Sequence, residues 1–391
     1  MPNTLGEDET MIYLDNAATT QLSEGAWEAM QPYFTEYYGN PSSIYRLSAA
    51  SKKAINRSRE TIAESLGADI REIFFTSGGT EADNWALISV AEQYESKGKH
   101  IITSQIEHPA ILNTCAYLEK RGFEVTYLKV NEQGLVEEEA LQKALRKDTI
   151  LVSIMMANNE VGTIQNIAAL AAIAKEQGAF FHTDAVQVYG HLPINVKELG
   201  VDLLSASGHK FNGPKGIGFL YVDSKVKLPG FVHGGMQEKG RRAGTENVPA
   251  IVGMAQAAKE ALEHMQERAE VVARLSSHLK KRIQEEIKDC HFHGHETQRL
   301  PGHVNVTFSR VQGESALIML DQKGICVSSG SACTTGALEG SHVILALGCS
   351  EEEAQGALRF TVSHLNTMEE MEQTVQALKE IVGKLRGFRY E

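Results

Sequence analysis

The sequence predicts an α/β protein: a large domain with a mixed, mostly parallel sheet, followed by a smaller α+β C-terminal domain. Two observations carry the prediction. From about residue 70 to 222, short apolar runs alternate with helical stretches, as βαβ units require. The turn-rich stretch from Phe231 to Thr245 then gives way to a long helical region, Val248 to about Ile287, and a second set of strands and helices follows it. A chain of 391 residues has room for two cores, because single cores stop growing near ~250–300 residues. The expected division is 15–262 for the large domain, and 263–391 together with 1–14 for the small one.

In the first unit the candidate strands are Glu72–Thr76, His100–Thr103, Glu124–Lys129, Thr149–Met156, Ala179–His182 and Val201–Ser205, with a further apolar run from Ile217 to Val222. Amphipathic segments such as Glu81–Ser96 and Ile167–Gln177 lie between them and are expected to cover both faces of the sheet. The region from Val248 to Ile287 is rich in Ala, Glu, Lys and Arg, as helices bridging two domains often are. In the second unit, strands are expected near His303–Phe308 and Ile325–Val327. Helices are expected near Glu314–Asp321, Ser341–Leu347, Glu351–Ala357 and Met368–Lys384. No internal repeat, low-complexity tract or heptad pattern interrupts this order.

Composition excludes several classes of function. Hydrophobic residues make up 42% of the chain and charged residues 23%, the balance of an ordinary globular protein. A formal net charge of −12 argues against direct nucleic-acid binding, which needs a concentrated basic footprint. No run approaches the ~18 apolar residues of a membrane span, and Met1 to Thr10 is acidic and polar, so a cytoplasmic protein without a membrane partner is expected. The five cysteines include no C-x-x-C pair, so neither a disulfide framework nor a zinc ribbon is implied.

In such a sheet, ligands bind beyond the C-terminal ends of the strands. Ser205-Ala206-Ser207-Gly208-His209-Lys210 closes one apolar run, and a lysine held there can capture a carbonyl cofactor through its amine, with Ser207 and His209 near a phosphate. Ser77-Gly78-Gly79-Thr80 links another strand to a helix and forms a phosphate cradle without the Walker lysine or the G-x-G-x-x-G spacing. His108, Asn159, Asp184 and Gln187 follow further strands. Each has a plainer reading: His108 as a cap or surface residue before Pro109, Asn158-Asn159 as turn chemistry, the glycines as a tight turn. A carboxylate at Asp184 calls for a cationic partner or several donors. Gathered on one rim, a phosphate cradle, an acid and an amine suit pyridoxal 5′-phosphate (PLP), which has a phosphate, a pyridinium and an aldehyde.

The chain resembles the cysteine desulfurases of the NifS/IscS type, within the class V aminotransferase-like, fold-type I PLP-dependent transferases. The blocks that carry the resemblance run colinearly from about residue 11 to 375: Leu14 to Thr20, Gly39 to Ser43, Thr76 to Asp83, Glu107-His108, Asn158 to Glu160, His182 to Gln187, Ser207 to Gly218, Gly240 to Thr245, Ser328 to Thr334 and Leu358 to Phe360. The resemblance implies that Lys210 binds the cofactor covalently, Asp184 pairs with its ring nitrogen, Gln187 donates to its ring hydroxyl oxygen and His108 stacks on its ring. It further implies that the backbone around Gly79, with Thr80, Ser207 and His209, holds the phosphate, joined by Thr245 from the second subunit of a homodimer. Asn159 and Arg359 are implied for the substrate carboxylate, and Cys333 as the nucleophile that takes sulfur. Catalysis is thereby assigned to Lys210, His108 and Cys333.

The segment around Cys333, Ser328 to Gly336, is almost entirely small and polar, a composition that buries little and suits a thiol that moves. Cys115, Cys290, Cys326 and Cys349 read as packing residues. Tyr45 and Ser48 depart from the His and Gly common in relatives, in what is expected to be an entrance segment. His291, His293 and His295 stand at strand spacing; a solvated edge accounts for them, and no metal site is expected.

The expected reaction is conversion of L-cysteine to L-alanine with sulfur left on Cys333, for delivery to protein acceptors such as an iron–sulfur scaffold or tRNA-thiolation proteins. Two rival readings stand beside it: a selenocysteine lyase or other class V enzyme, which would not need Cys333, and a non-catalytic acceptor-binding scaffold, which would tolerate loss of Lys210.

Overall fold

The computed structural model describes residues 11–329 and 340–387. After a short strand β1 (Ile12–Tyr13), the large sheet is built from β2 (Ile73–Thr76), β3 (His100–Ser104), β4 (Glu124–Leu128), β5 (Thr149–Ser153), β6 (Phe180–Asp184), β7 (Leu203–Ser207) and β8 (Gly218–Val222). Its seven strands lie in the order β2-β8-β7-β6-β5-β3-β4. Pairings from β4 across to β7 are parallel, whereas β8 runs antiparallel to both β7 and β2. The sheet is therefore mixed and mostly parallel, as the alternation of runs and helices predicts.

The central strands are buried almost throughout because both faces are covered. Ile102, Val152, Leu204 and Phe219 point into one apolar cluster, with the helices Arg46–Leu66, Ile167–Glu176 and Val248–Glu263. Their sequence neighbours Ile101, Leu151, Leu203 and Leu220 point into another, with the helix Gly79–Tyr94. This is the two-residue period of a strand read on both sides.

The second unit holds β9 (Cys290–Phe292), β10 (His303–Phe308), β11 (Ile325–Cys326), β12 (Ser328–Ser329) and β13 (Ala357–Thr361). Four of these form a sheet ordered β12-β13-β10-β9, and β11 pairs in parallel with β1. Leu14, Leu279, Val306, Phe360 and Leu378 share its apolar cluster, closed by the helices Met265–Glu286 and Met368–Gly387.

Boundaries differ from the sequence expectation at several points. Glu72 belongs to a 3-10 turn rather than to β2, because its carboxylate caps the Asp69 N–H at 3.0 Å. Thr149–Met156 ends as regular strand at Ser153, although Ile154 and Met156 still donate to the carbonyls of His182 and Asp184. The region Val248 to Ile287 is two helices, broken at His264, whose φ of −110° and ψ of 11° leave the helical range. Ala357 opens β13 instead of closing a helix. The helix Arg46–Leu66 has no counterpart in the expected elements; its buried face mixes Ser48, Ser51 and Ser58 with Ala54, Ile55, Ile62, Ala63 and Leu66, so the apolar stripe is interrupted by serines. Ser48, expected in an entrance segment, is buried on that helix, while Tyr45 just before it is exposed.

Candidate active site

A cavity of about 370 Å³ lies at the C-terminal rim of the large sheet, bounded on its other side by Ser328 of β12 and Arg359 of β13. Gly79, Thr80, His108, Asn159, Asp184, Gln187, Ser207, His209, Lys210 and Arg359 all line it. Thr245 is exposed and does not line it, and its expected role belongs to a second subunit. Cys333 lies outside the described residues.

At one end, β2 runs through Ser77 and Gly78 into the helix Gly79–Tyr94, whose N-terminus has no side-chain cap among the described residues and whose dipole favours an anion. A Cβ at Gly79 would stand 2.6 Å from Val186 Cγ2, so only glycine lets this turn close against the neighbouring loop. Ser207 ends β7, and His209 follows it. Burial, helped by Lys210 and Lys215, pushes the His209 imidazole down to about 4, so the ring is neutral, and its Nδ1 lies 3.1 Å from Thr19 Oγ1.

Asp184 ends β6, only 5% exposed, and its Oδ1 accepts a hydrogen bond from the Val186 N–H at 2.8 Å. Burial raises its carboxyl above the usual range, while His108, the Val186 N–H and Lys210 pull it back. Such an acid is best satisfied by a cation placed against it. His108 caps the helix Pro109–Glu119, and its Nδ1 accepts from the Ala110 N–H at 3.1 Å. The neutral ring, kept so chiefly by burial, therefore carries its proton on Nε2.

Lys210 ends the 3-10 turn after β7, and its Nζ donates to the carbonyls of Ala17 at 2.5 Å and Ala18 at 2.9 Å. The Gln187 amide, expected to face the ring hydroxyl, donates to the same Ala17 carbonyl at 2.9 Å. The block Asp15 to Thr20 thus forms one wall of the cavity, and it is fixed there by Ala17 N–H donating to Thr361 Oγ1 and Thr20 Oγ1 donating to the His209 carbonyl.

Across the cavity, Arg359 is 5% exposed. Its Nη2 meets Asp15 Oδ1 at 2.7 Å and its Nη1 donates to the Asn159 carbonyl at 3.1 Å, while Nε has no partner among the described residues. Asn159 reaches the guanidinium through its backbone.

Behind the rim lies a buried polar layer that sequence reasoning did not identify. Asp83, on the inner face of the helix Gly79–Tyr94, is 1% exposed, and its Oδ1 lies 3.7 Å from His182 Nε2. Burial first, then Asp184, raises the Asp83 carboxyl well above its ordinary value. His182 bridges Ser153 Oγ and Ser205 Oγ, each at 2.9 Å, and burial pushes it down to about 3. Glu107, beside His108, binds the Ser104 hydroxyl and the Met155 N–H, and burial pushes its carboxyl up to about 8. In the sequence all three fall within blocks that carry the family resemblance, but nothing local assigns them a role.

The chain around Cys333 is anchored on both sides. Ser328 pairs with Arg359 in the register of β12 and β13, and Ser341 Oγ donates to the buried Glu160 Oε2 at 2.5 Å.

The aminotransferase class-V family model matches residues 12–374, and the chain belongs to that family. It is 52% identical over 376 residues to a cysteine desulfurase IscS of Methanosarcina thermophila, covering 96% of this chain and 93% of that one. Among solved structures, a NifS-like protein superposes with a TM-score of 0.91 at 38% identity, covering 96% of this chain and all 100% of its own. A structure described as SspA in complex with cysteine gives 0.81 at 37% identity, covering 92% and 100%. The family's cofactor is PLP, and this chain is a PLP-dependent enzyme. The donors described here fit that cofactor: a glycine-closed helix N-terminus for a phosphate, a buried acid in need of a cation, and a lysine amine on the same cavity.

Proposed function

We propose that the enzyme is a cysteine desulfurase that takes sulfur from L-cysteine, leaves L-alanine, and carries the sulfur as a persulfide on Cys333. The observation that carries this reading is the union, in one cavity, of Lys210, Asp184, the Gly79 turn and the Arg359 guanidinium. The names of the relatives, and the cysteine complex among the similar structures, support it.

In this reading the Gly79 turn, Thr80, Ser207 and His209 would hold the phosphate of PLP, Asp184 would pair with its ring nitrogen, Gln187 would serve its ring hydroxyl, His108 its ring, and Lys210 would supply the amine for its aldehyde. Bound PLP supplies an electron sink for the carbanion left when the substrate Cα loses its proton. Arg359 and Asn159 orient the substrate by its carboxylate, for which a planar guanidinium is suited. Lys210 Nζ and His108 move the proton at Cα. Cys333 Sγ, as thiolate, attacks the substrate sulfur: an S–S bond forms, the Cβ–S bond breaks, and its electron pair stays with the carbon skeleton, which takes up protons to become alanine. Cysteine and one enzyme thiol give alanine and one enzyme persulfide, with no external oxidant or reductant.

A homodimer completed by Thr245 of a second subunit, a cytoplasmic setting, and protein acceptors for iron–sulfur assembly or tRNA thiolation belong to the same reading. So does a domain division near residue 262, supported by the separate apolar clusters on either side of it. Among the described residues no helix is long and apolar enough to cross a membrane. The test is to incubate the pure holoenzyme with L-cysteine and a reductant and to measure alanine and sulfide together. Equal amounts of both are expected, and alanine without sulfide would sink the reading.

A further inference from the structure

The edge strand β9 and the turn before the helix Glu351–Gly356 bring together residues that the sequence keeps far apart. One ring nitrogen of each of His291 and His293 and the sulfur of Cys349 lie within 4.8 Å of one another. His293 Nδ1 stands 3.6 Å from Cys349 Sγ, about the separation of two ligands on one tetrahedral ion. His295, expected at the same spacing, turns away: its Nδ1 accepts from the Thr297 and Gln298 N–H groups. Cys349 takes its place: it packs against the apolar cluster of Val161 and Ile344, as its sequence context suggests, and also turns its sulfur to His293.

The surrounding hydrogen bonds set which nitrogens are free to ligate. The Thr307 hydroxyl donates to the Glu353 carbonyl at 2.9 Å, so at 2.8 Å from His293 Nε2 it can only accept. His293 therefore carries its proton on Nε2 and presents the Nδ1 lone pair towards the sulfur. Glu353 Oε2 is occupied by the Ser350 N–H and hydroxyl, which leaves Oε1 to receive His291 Nδ1 at 3.2 Å. A neutral His291 that donates there carries its lone pair on Nε2. Carboxylate and hydroxyl partners of this kind accompany metal-ligating histidines, fixing both tautomer and ring orientation. His293 is buried, Cys349 half-buried and His291 exposed, so the cluster is rigid on its inner side and reachable from solvent.

We propose that His291, His293 and Cys349 bind a divalent ion of the zinc class, with the fourth position open to water. Two imidazoles and a thiolate select such a borderline-soft ion over magnesium or calcium. The ion displaces the Cys349 thiol proton to solvent and meets two neutral rings. This departs from the expectation of a solvated edge without metal, and it stands independently of the desulfurase reading.

The test is titration of chelator-treated holoenzyme with Co2+, followed through the thiolate-to-cobalt charge-transfer band and by equilibrium dialysis. One equivalent is expected, displaceable by Zn2+, with the band unchanged in Cys333→Ala and gone in Cys349→Ser. The exposed His291→Asn, which leaves the core intact, should weaken binding at least ~10-fold, and Glu353→Gln by roughly 10–100-fold. No thiolate band, or a band that survives Cys349→Ser, overturns the proposal, as does His291→Asn binding like the parent. Circular dichroism of each variant keeps loss of the fold apart from loss of the site.

Discussion

Arg359 Nη2 and Asp15 Oδ1, 344 positions apart in the chain, meet at 2.7 Å on the wall of the cavity, with both side chains mostly buried. The pair ties the first strand region to the last strand of the small sheet, and it leaves Arg359 Nε without a partner among the described residues. A guanidinium already oriented by one carboxylate is held ready for a second.

Arg359→Ala should therefore raise KM for L-cysteine by about 30-fold or more, the loss expected when one partner of a desolvated charge pair is removed. The cofactor's visible absorption should stay as in the parent. Arg359→Lys should recover only part of the loss, because an ammonium lacks the planar fork. A parental KM in Arg359→Ala would remove the residue from substrate binding.

Glu107 makes stability depend on pH. Its folded carboxyl, raised by burial from 4.5 to about 8, still holds a proton in a range where the unfolded chain has lost it. A raised acid contributes stability that is fully present below about pH 4.5 and lost as pH climbs through about 8. Glu107→Gln stays neutral throughout, so its stability relative to the parent should rise across that window and level off above it. Urea midpoints at several pH values measure this; a pH-independent difference would contradict it.

The segment that carries Thr245 is pinned by a buried ion pair. Arg59 binds both Glu238 oxygens, at 2.7 and 2.6 Å, and donates to the Ile73 carbonyl, while Glu238 also accepts from the Phe75 N–H. Glu238→Ala strands a buried guanidinium and should cost about 3–5 kcal/mol in denaturant unfolding. Adding Arg59→Met should restore part of that and not all, since the Phe75 N–H still lacks its acceptor. Full recovery in the double variant would mean that the charge pair alone mattered.

Cys333→Ala should separate binding from sulfur transfer. Every group assigned to the cofactor lies elsewhere, so the variant should take up PLP normally and its spectrum should still respond to L-cysteine. Mass spectrometry should find an extra sulfur at position 333 in the parent enzyme, and sulfide release should cease in the variant. Near-normal sulfide and alanine from Cys333→Ala would end the persulfide mechanism. Activity surviving only on selenocysteine would favour the lyase reading.

What could be read in advance follows a physical divide. Lys210, Asp184 and Ser207 were legible because a polar residue closing an apolar run has to be satisfied at the sheet's rim, and the run itself is local in sequence. The roles of Asp83, His182 and Glu107 were not: Asp83 and His182 sit inside elements whose pattern reads as core, Glu107 sits in the loop before the helix Pro109–Glu119, and only the assembled layers bring the three together. β13 has little local signal, because Ala357–Thr361 follows Gly356 with no intervening loop, so in the sequence only the resemblance points to Arg359. His293 and Cys349, 56 positions apart, meet only through the pairing of β9 with β10 and the packing of the helix Glu351–Gly356 against β10.

The two posts that flank Cys333, Ser329 paired in β12 and Ser341 held by Glu160, set a leash length. A polypeptide extends at most ~3.6 Å per residue, so the four-residue step from 329 to 333 can span no more than about 14 Å. If Cys333 carries sulfur as proposed, that sulfur would be delivered close to the edge of the small sheet. In the desulfurase reading, a protein acceptor would have to bring its own thiol into that short radius, which favours a receiving cysteine on a protruding tip over one on a flat or recessed face. Inserting residues between 329 and 333 would widen the range of acceptors, whereas shortening that arm would confine the sulfur to the cavity where it was released.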